Sequence, residues 1–141
     1  MINNLPFAIR PYQPAEESQV VTLWHQCKLV VPWNDPHRDI ALKLQVQPHL
    51  FLVGTLGTAV IATIMAGYEG HRGWLNYLAV SPEHQRHGLG RRMVEEATAL
   101  LKAEGCPKIN LQIRASNTEV IAFYTRLGFT VDDVVSMGKR L

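Results

Sequence analysis

The chain has 141 residues, with 14 Lys and Arg against 12 Asp and Glu and a net charge of +2. So small an excess, with no long basic run, argues against a nucleic-acid partner. At 47% hydrophobic and 18% charged residues, the composition is that of an ordinary soluble protein, and the length suits a single domain, residues 1–141.

The longest apolar stretch, Thr58 to Ala66, is too short to cross a bilayer, so no membrane partner is expected. Met1-Ile2-Asn3-Asn4 has neither the basic start nor the apolar run of a leader. Cys27 and Cys106 are too far apart in sequence to suggest a disulfide scaffold. A cytoplasmic protein is expected.

In chain order, Phe7-Ala8-Ile9-Arg10 predicts a short strand. Pro14-Ala15-Glu16-Glu17 opens a helix that places Val20, Leu23, Trp24 and Cys27 on one face. Pro32 to Pro36 reads as a loop. Asn34 or Asp35 caps a second helix, from Pro36 to about Gln45. Three strands follow, Leu50–Val53, Ala59–Tyr68 and Trp74–Val80, close enough in sequence to pair as antiparallel neighbours. Leu89, Met93, Ala97, Leu100 and Leu101 form the inward stripe of a helix ending at Gly105. Ile109, Leu111 and Ile113 alternate as a strand, Asn117–Leu127 forms a helix stopped by Gly128, and Phe129–Val135 returns as a final strand. The order predicts an α/β (α+β) fold: a mixed, mostly antiparallel sheet with helices on both faces.

Gln85-Arg86-His87-Gly88-Leu89-Gly90 stands between a strand and a helix. A glycine loop opening into a helix presents free N–H groups and the positive end of the helix dipole. Arg86, Arg91 and Arg92 flank it, and the segment reads as a pyrophosphate cradle. It lacks the third glycine of a dinucleotide fingerprint and the Gly-Lys-Ser/Thr of a P-loop. A plain strand–turn–helix corner that uses glycine for packing is the alternative.

Leu78-Ala79-Val80, Pro82 and Gln85–Gly90 together resemble the signature region of the GCN5-related N-acetyltransferases (GNAT). Asn117, Ala122-Phe123-Tyr124 and Leu127-Gly128-Phe129 resemble that family's second block. Arg114-Ala115-Ser116-Asn117 is most similar to the ribosomal-protein alanine N-acetyltransferase subgroup. The resemblance implies acetyl-coenzyme A as cofactor, with Arg86, His87, Gly88, Leu89, Gly90 and Arg91 around its pyrophosphate. It implies that Leu78, Ala79 and Val80 pair their backbone with the pantetheine arm, that a strand N–H polarises the thioester carbonyl, and that Asn117 hydrogen-bonds the arm. Tyr124 would protonate the departing thiolate.

The implied reaction is direct attack of a primary amine on the thioester, and an aliphatic ammonium with a pKa near ~10.4 must first lose its proton. The subgroup's glutamate position, five residues before Asn117, holds Gln112 here, which cannot accept one. Glu69, His71 or a water chain are the alternatives, and Glu69 also reads as a turn residue. Tyr124 also reads as a core aromatic in helical register with Val120 and Leu127. Cys106, in Glu-Gly-Cys-Pro, reads as structural. The spacing of His71, His84 and His87 matches no compact metal motif, so no metal is expected. Trp33 and Trp74 either line an acceptor cleft or pack, and the Pro32–Pro36 loop is a candidate for specificity.

The acceptor, whether a small-molecule amine or a protein or peptide amine, stays open, as does a homodimer. The competing reading is a catalytically silent acyl-coenzyme A-binding sensor or partner module, which Gln112 favours and Tyr124 disfavours.

Overall fold

The computed structural model of the chain describes residues 5–141. The reading of Met1–Asn4 as lacking a leader lies outside the described residues. The chain divides into two compact units, one running to Leu111 and one from Gln112 to Leu141.

In the first unit, β1 spans Phe7–Pro11, and a 3₁₀ turn at Pro14–Glu16 leads into α1, Glu17–Gln26. Glu16 closes that turn. Its buried carboxylate accepts from the Gln13 N–H at 3.0 Å and from the Arg10 guanidinium at 2.9 and 2.5 Å. The Arg10 hydrogen bonds hold the Glu16 carboxyl below its ordinary range against the opposing effect of burial. α2, Pro36–Lys43, starts as the sequence prescribes: Asp35 accepts from the N–H groups of His37 at 3.0 Å and Arg38 at 3.3 Å. Pro36 takes the first turn, where no N–H is needed.

The sheet contains β1, β2 (Phe51–Leu56), β3 (Ala59–Tyr68), β4 (Gly73–Val80) and β5 (Ile109–Asn110), in that spatial order. β1 to β4 are antiparallel neighbours, as the short connections between β2, β3 and β4 predict, and β5 joins β4 in parallel. β3 is buried along most of its length, so its run of apolar residues is continuous rather than alternating.

Helices cover both faces. Val20, Leu23 and Trp24 of α1 and Ile40 of α2 form one core cluster with Phe51, Val53 and Met65. α3, Leu89–Ala103, packs on β3 and β4 through a stripe that buries Met93, Val94, Ala97 and Leu101. The Arg92 guanidinium of α3 sits over the Phe7 ring, 4.8 Å from its centroid. A Cβ on Gly54 would meet that same ring at 2.5 Å. Gly54 and Val53 project to opposite faces, so α3 lies across the sheet from α1.

The second unit holds α4, Thr118–Arg126. Asn117 caps it, its side chain accepting from the Val120 N–H at 3.4 Å, and Gly128 ends the turn with φ +94°. Two expectations are corrected here. Phe129–Val135 forms no strand, and β5 stops at Asn110 instead of continuing to Ile113. Val131, Val134 and Val135 are 87, 76 and 86% exposed. Alternation favours a strand only where a neighbour supplies a ladder and an apolar face, and among the described residues this segment acquires neither.

Candidate functional site

β4 is the first component. It pairs with β5 only at Gly73 and Trp74, then leaves it. Asn76 pairs with Met65 and Ala79 with Thr63, so Tyr77 and Leu78 together oppose Ile64 as a bulge. Tyr77 takes φ +53°, in the left-handed region. Beyond the bulge, the Ser81 N–H donates to the Ile61 carbonyl at 2.8 Å. Alternation then turns Ala79 toward β3 and turns Leu78 and Val80 outward. The Val80 carbonyl accordingly accepts from side chains, Gln85 Nε2 at 3.0 Å and the Cys27 thiol at 3.3 Å. Leu78-Ala79-Val80 thus presents a strand edge that no strand covers among the described residues.

The glycine loop is the second component. A 3₁₀ turn at Pro82–His84 precedes it, Arg86 takes φ +67°, and Gly88 caps α3 with φ +76°. Only glycine adopts that conformation without steric cost. The first bond of α3 runs from the Arg92 N–H to the Gly88 carbonyl at 3.2 Å. The N–H groups of Leu89, Gly90 and Arg91 precede it at the helix mouth, and the Gly88 cap position brings no side chain to bond them. No acid occupies the first turn, which carries Arg91 and Arg92 instead. That charge opposes the helix dipole until an anion arrives. A Cβ on Gly88 would meet nothing within 4 Å, so the mouth is open. Arg86 and His87 lie exposed beside it. Backbone donors, positive charge and space fit a diphosphate. Arg91 also sits 3.6 Å from Glu95, an exposed pair of small energetic weight.

The remaining site residues of the sequence reading belong to the second unit. Tyr124 is buried, edge-on to Phe123 at 5.0 Å and to Phe129 at 5.3 Å between ring centroids. Burial pushes its phenol up to about 12, so it keeps its proton through neutral pH. Asn117 uses its side-chain oxygen as the cap of α4, which leaves its amide nitrogen as a donor. Gln112 donates to the Ser136 hydroxyl.

Glu69 has a structural task. It is exposed and accepts from the backbone N–H groups of His71 and Arg72, closing the turn between β3 and β4. That turn sits at the opposite end of β4 from the glycine loop. Cys106 donates to the Lys108 carbonyl at 3.3 Å, and a Cβ on Gly73 would come within 2.7 Å of its sulfur. Its role is packing. Trp33 and Trp74 are both exposed, at 55% and 37%.

Sequence reasoning missed four residues around the bulge. The Thr63 hydroxyl donates to the Tyr77 carbonyl at 2.8 Å and accepts from Trp24 Nε1 at 2.9 Å. The Tyr77 phenol donates to Asp39 Oδ2 at 2.5 Å. No short motif announces this set, because its members are scattered along the chain from Trp24 to Tyr77.

The acetyltransferase (GNAT) family matches residues 18–129. An acetyltransferase from Yersinia enterocolitica is 40% identical over 133 residues, and one from Sodalis glossinidius is 42% identical over 134; each match covers 94% of both chains. Among solved structures, the ribosomal-protein-S18-alanine N-acetyltransferase of Escherichia coli superposes with a TM-score of 0.74 at 23% identity, over 89% of this chain and 78% of that one. The PaiA N-acetyltransferase of Thermoplasma acidophilum, solved with coenzyme A, gives 0.76 at 17% identity over 93% and 94%. These two likenesses establish the fold. The sequence matches across most of the chain show that it belongs to the acetyltransferase (GNAT) family, whose acyl donor is acetyl-coenzyme A.

Proposed function

We propose that the chain moves an acetyl group from acetyl-coenzyme A to a primary amine by direct attack on the thioester, with residues 1–141 working as one cytoplasmic domain. The observation that carries this is the open mouth of α3, where the Gly88 cap brings no side chain to the N–H groups of Leu89, Gly90 and Arg91 and a Cβ on Gly88 would meet nothing within 4 Å.

When bound, acetyl-coenzyme A supplies an acyl group already activated as a thioester. The backbone from Arg86 to Arg91 holds its diphosphate. The outer edge of Leu78-Ala79-Val80 pairs with the amides of the pantetheine arm, as an added strand pairs with a sheet edge. The outward N–H of Leu78 polarises the thioester carbonyl, and one such donor contributes about 3 kcal/mol where charge develops. Asn117 donates its side-chain amide to the arm. Tyr124, protonated at neutral pH, holds the proton for the departing sulfur. Gln112 takes no proton, and the carboxylate of Glu69 is committed to the β3–β4 turn that also carries His71, at the end of β4 away from the glycine loop, so water is the route by which the ammonium is neutralised.

Solved neighbours act on acceptors as different as a ribosomal protein and an aminoglycoside, and the shared fold does not choose among them. The test is thiol release on incubation with acetyl-coenzyme A and a panel of amines and N-terminal peptides. Amine-dependent release supports the reading. Binding without release across the panel supports a silent acyl-coenzyme A module instead, for which the non-titrating Gln112 is the observation.

A further inference from the structure

Tyr77 is an aromatic residue held at φ +53°. An L-residue there is sterically strained, and such strain persists only where the surroundings over-determine it. Here three contacts do so. The Thr63 hydroxyl takes the Tyr77 carbonyl at 2.8 Å. The Trp24 indole stacks on the Tyr77 ring, centroids 3.8 Å apart and planes 12° from parallel. Asp39 takes the phenol at 2.5 Å. Trp24 in turn donates to Thr63 at 2.9 Å, so the carbonyl and ring restraints share one base. Trp24 and Thr63 are fully buried. The bulge is therefore gripped from α1, α2 and β3 together.

We propose that Tyr77, held by Thr63, Trp24 and Asp39, is a positioning residue for acetyl transfer: the grip fixes the bulge that turns the next peptide N–H, that of Leu78, toward the acetyl carbonyl. The inference rests on the reading above that this N–H polarises the thioester. A relaxed bulge would return Tyr77 to ordinary strand geometry and slip Leu78 by one position in the ladder, which reverses the direction its N–H faces. The phenol–carboxylate contact also ties α2, which follows the Pro32–Pro36 loop, to the strand that carries the donor.

The test is the infrared carbonyl band of acetyl-coenzyme A labelled with ¹³C at the thioester carbon, recorded free and bound, with coenzyme A affinity measured calorimetrically on the same samples. The wild-type protein lowers the band frequency on binding. Tyr77→Phe keeps the ring stack but loses the phenol contact, and Thr63→Val releases the carbonyl. Each is expected to lose about half or more of the bound-minus-free shift while coenzyme A affinity changes less than about threefold. Asp39→Asn still offers the phenol an acceptor and is expected to retain the wild-type shift. Full shifts in folded Tyr77→Phe and Thr63→Val, with affinity intact, overturn the inference and leave the cradle standing. A wild-type protein that binds no coenzyme A overturns both.

Discussion

Trp24 reaches across from α1 to donate its indole N–H to the Thr63 hydroxyl at 2.9 Å, in a site where neither residue is exposed to solvent. An indole N–H at such depth is costly to leave unpaired, and a hydroxyl that has lost its donor is costly too. Trp24→Phe removes the donor and part of the ring, and should lower unfolding free energy by about 2–3 kcal/mol. Urea denaturation measures this, and a midpoint equal to wild type would show that the contact carries no weight.

The Arg10–Glu16 pair should shape the acid limb of stability. The Glu16 carboxyl titrates below its ordinary value of 4.5 in the fold, chiefly through the Arg10 hydrogen bonds. The unfolded chain therefore binds that proton more readily. The contribution is complete above about pH 4.5 and is lost as pH falls through the lower folded value. Glu16→Gln should destabilise the protein by about 2 kcal/mol at neutral pH and flatten its stability profile below pH 5. Thermal melts across that range give the answer, and parallel curves for wild type and variant would remove Glu16 from the acid limb.

Gly88→Trp should leave the fold largely intact, since its Cβ points into open space, apart from about 1 kcal/mol for a side chain at φ +76°. The indole should fill the mouth of α3 and abolish coenzyme A binding. Retained affinity in a folded variant would contradict the cradle.

Tyr124→Phe should reduce turnover by about 10²-fold, the scale of a lost general acid, while coenzyme A affinity stays near wild type. The phenol's value of about 12 means that its own ionisation leaves no limb in the pH–rate profile below pH 10. A fully active variant would return Tyr124 to the role of a core aromatic.

Glu69→Gln should leave the pH–rate profile unchanged, because the carboxylate closes the turn between β3 and β4. The loss of the rising acid limb in this variant, where a base stops working as it takes up its proton, would reinstate Glu69 as the base.

The sequence was legible where local chemistry and burial agree. α3 begins at Leu89 and ends at Ala103, as Gly88, Gly105 and the stripe between them imply. Asp35 and Pro36 announce α2, and Asn117 announces α4. The segment Phe129–Val135 misled because β-branched residues express a preference for a pleated, half-buried surface and cannot supply one. The open mouth of α3 was readable from two glycines and a run of arginines. The grip on Tyr77 was not, because its partners Trp24, Asp39 and Thr63 come from three other elements, and an aromatic residue in the left-handed region has no sequence signature.

The most direct test of the cradle is amide NMR of the ¹⁵N-labelled protein titrated with coenzyme A. The N–H resonances of Leu89, Gly90 and Arg91 should move together with that of Leu78, and should move far less with dephosphorylated pantetheine than with the intact molecule. Resonances at the mouth of α3 that stay in place at saturating coenzyme A would contradict the account.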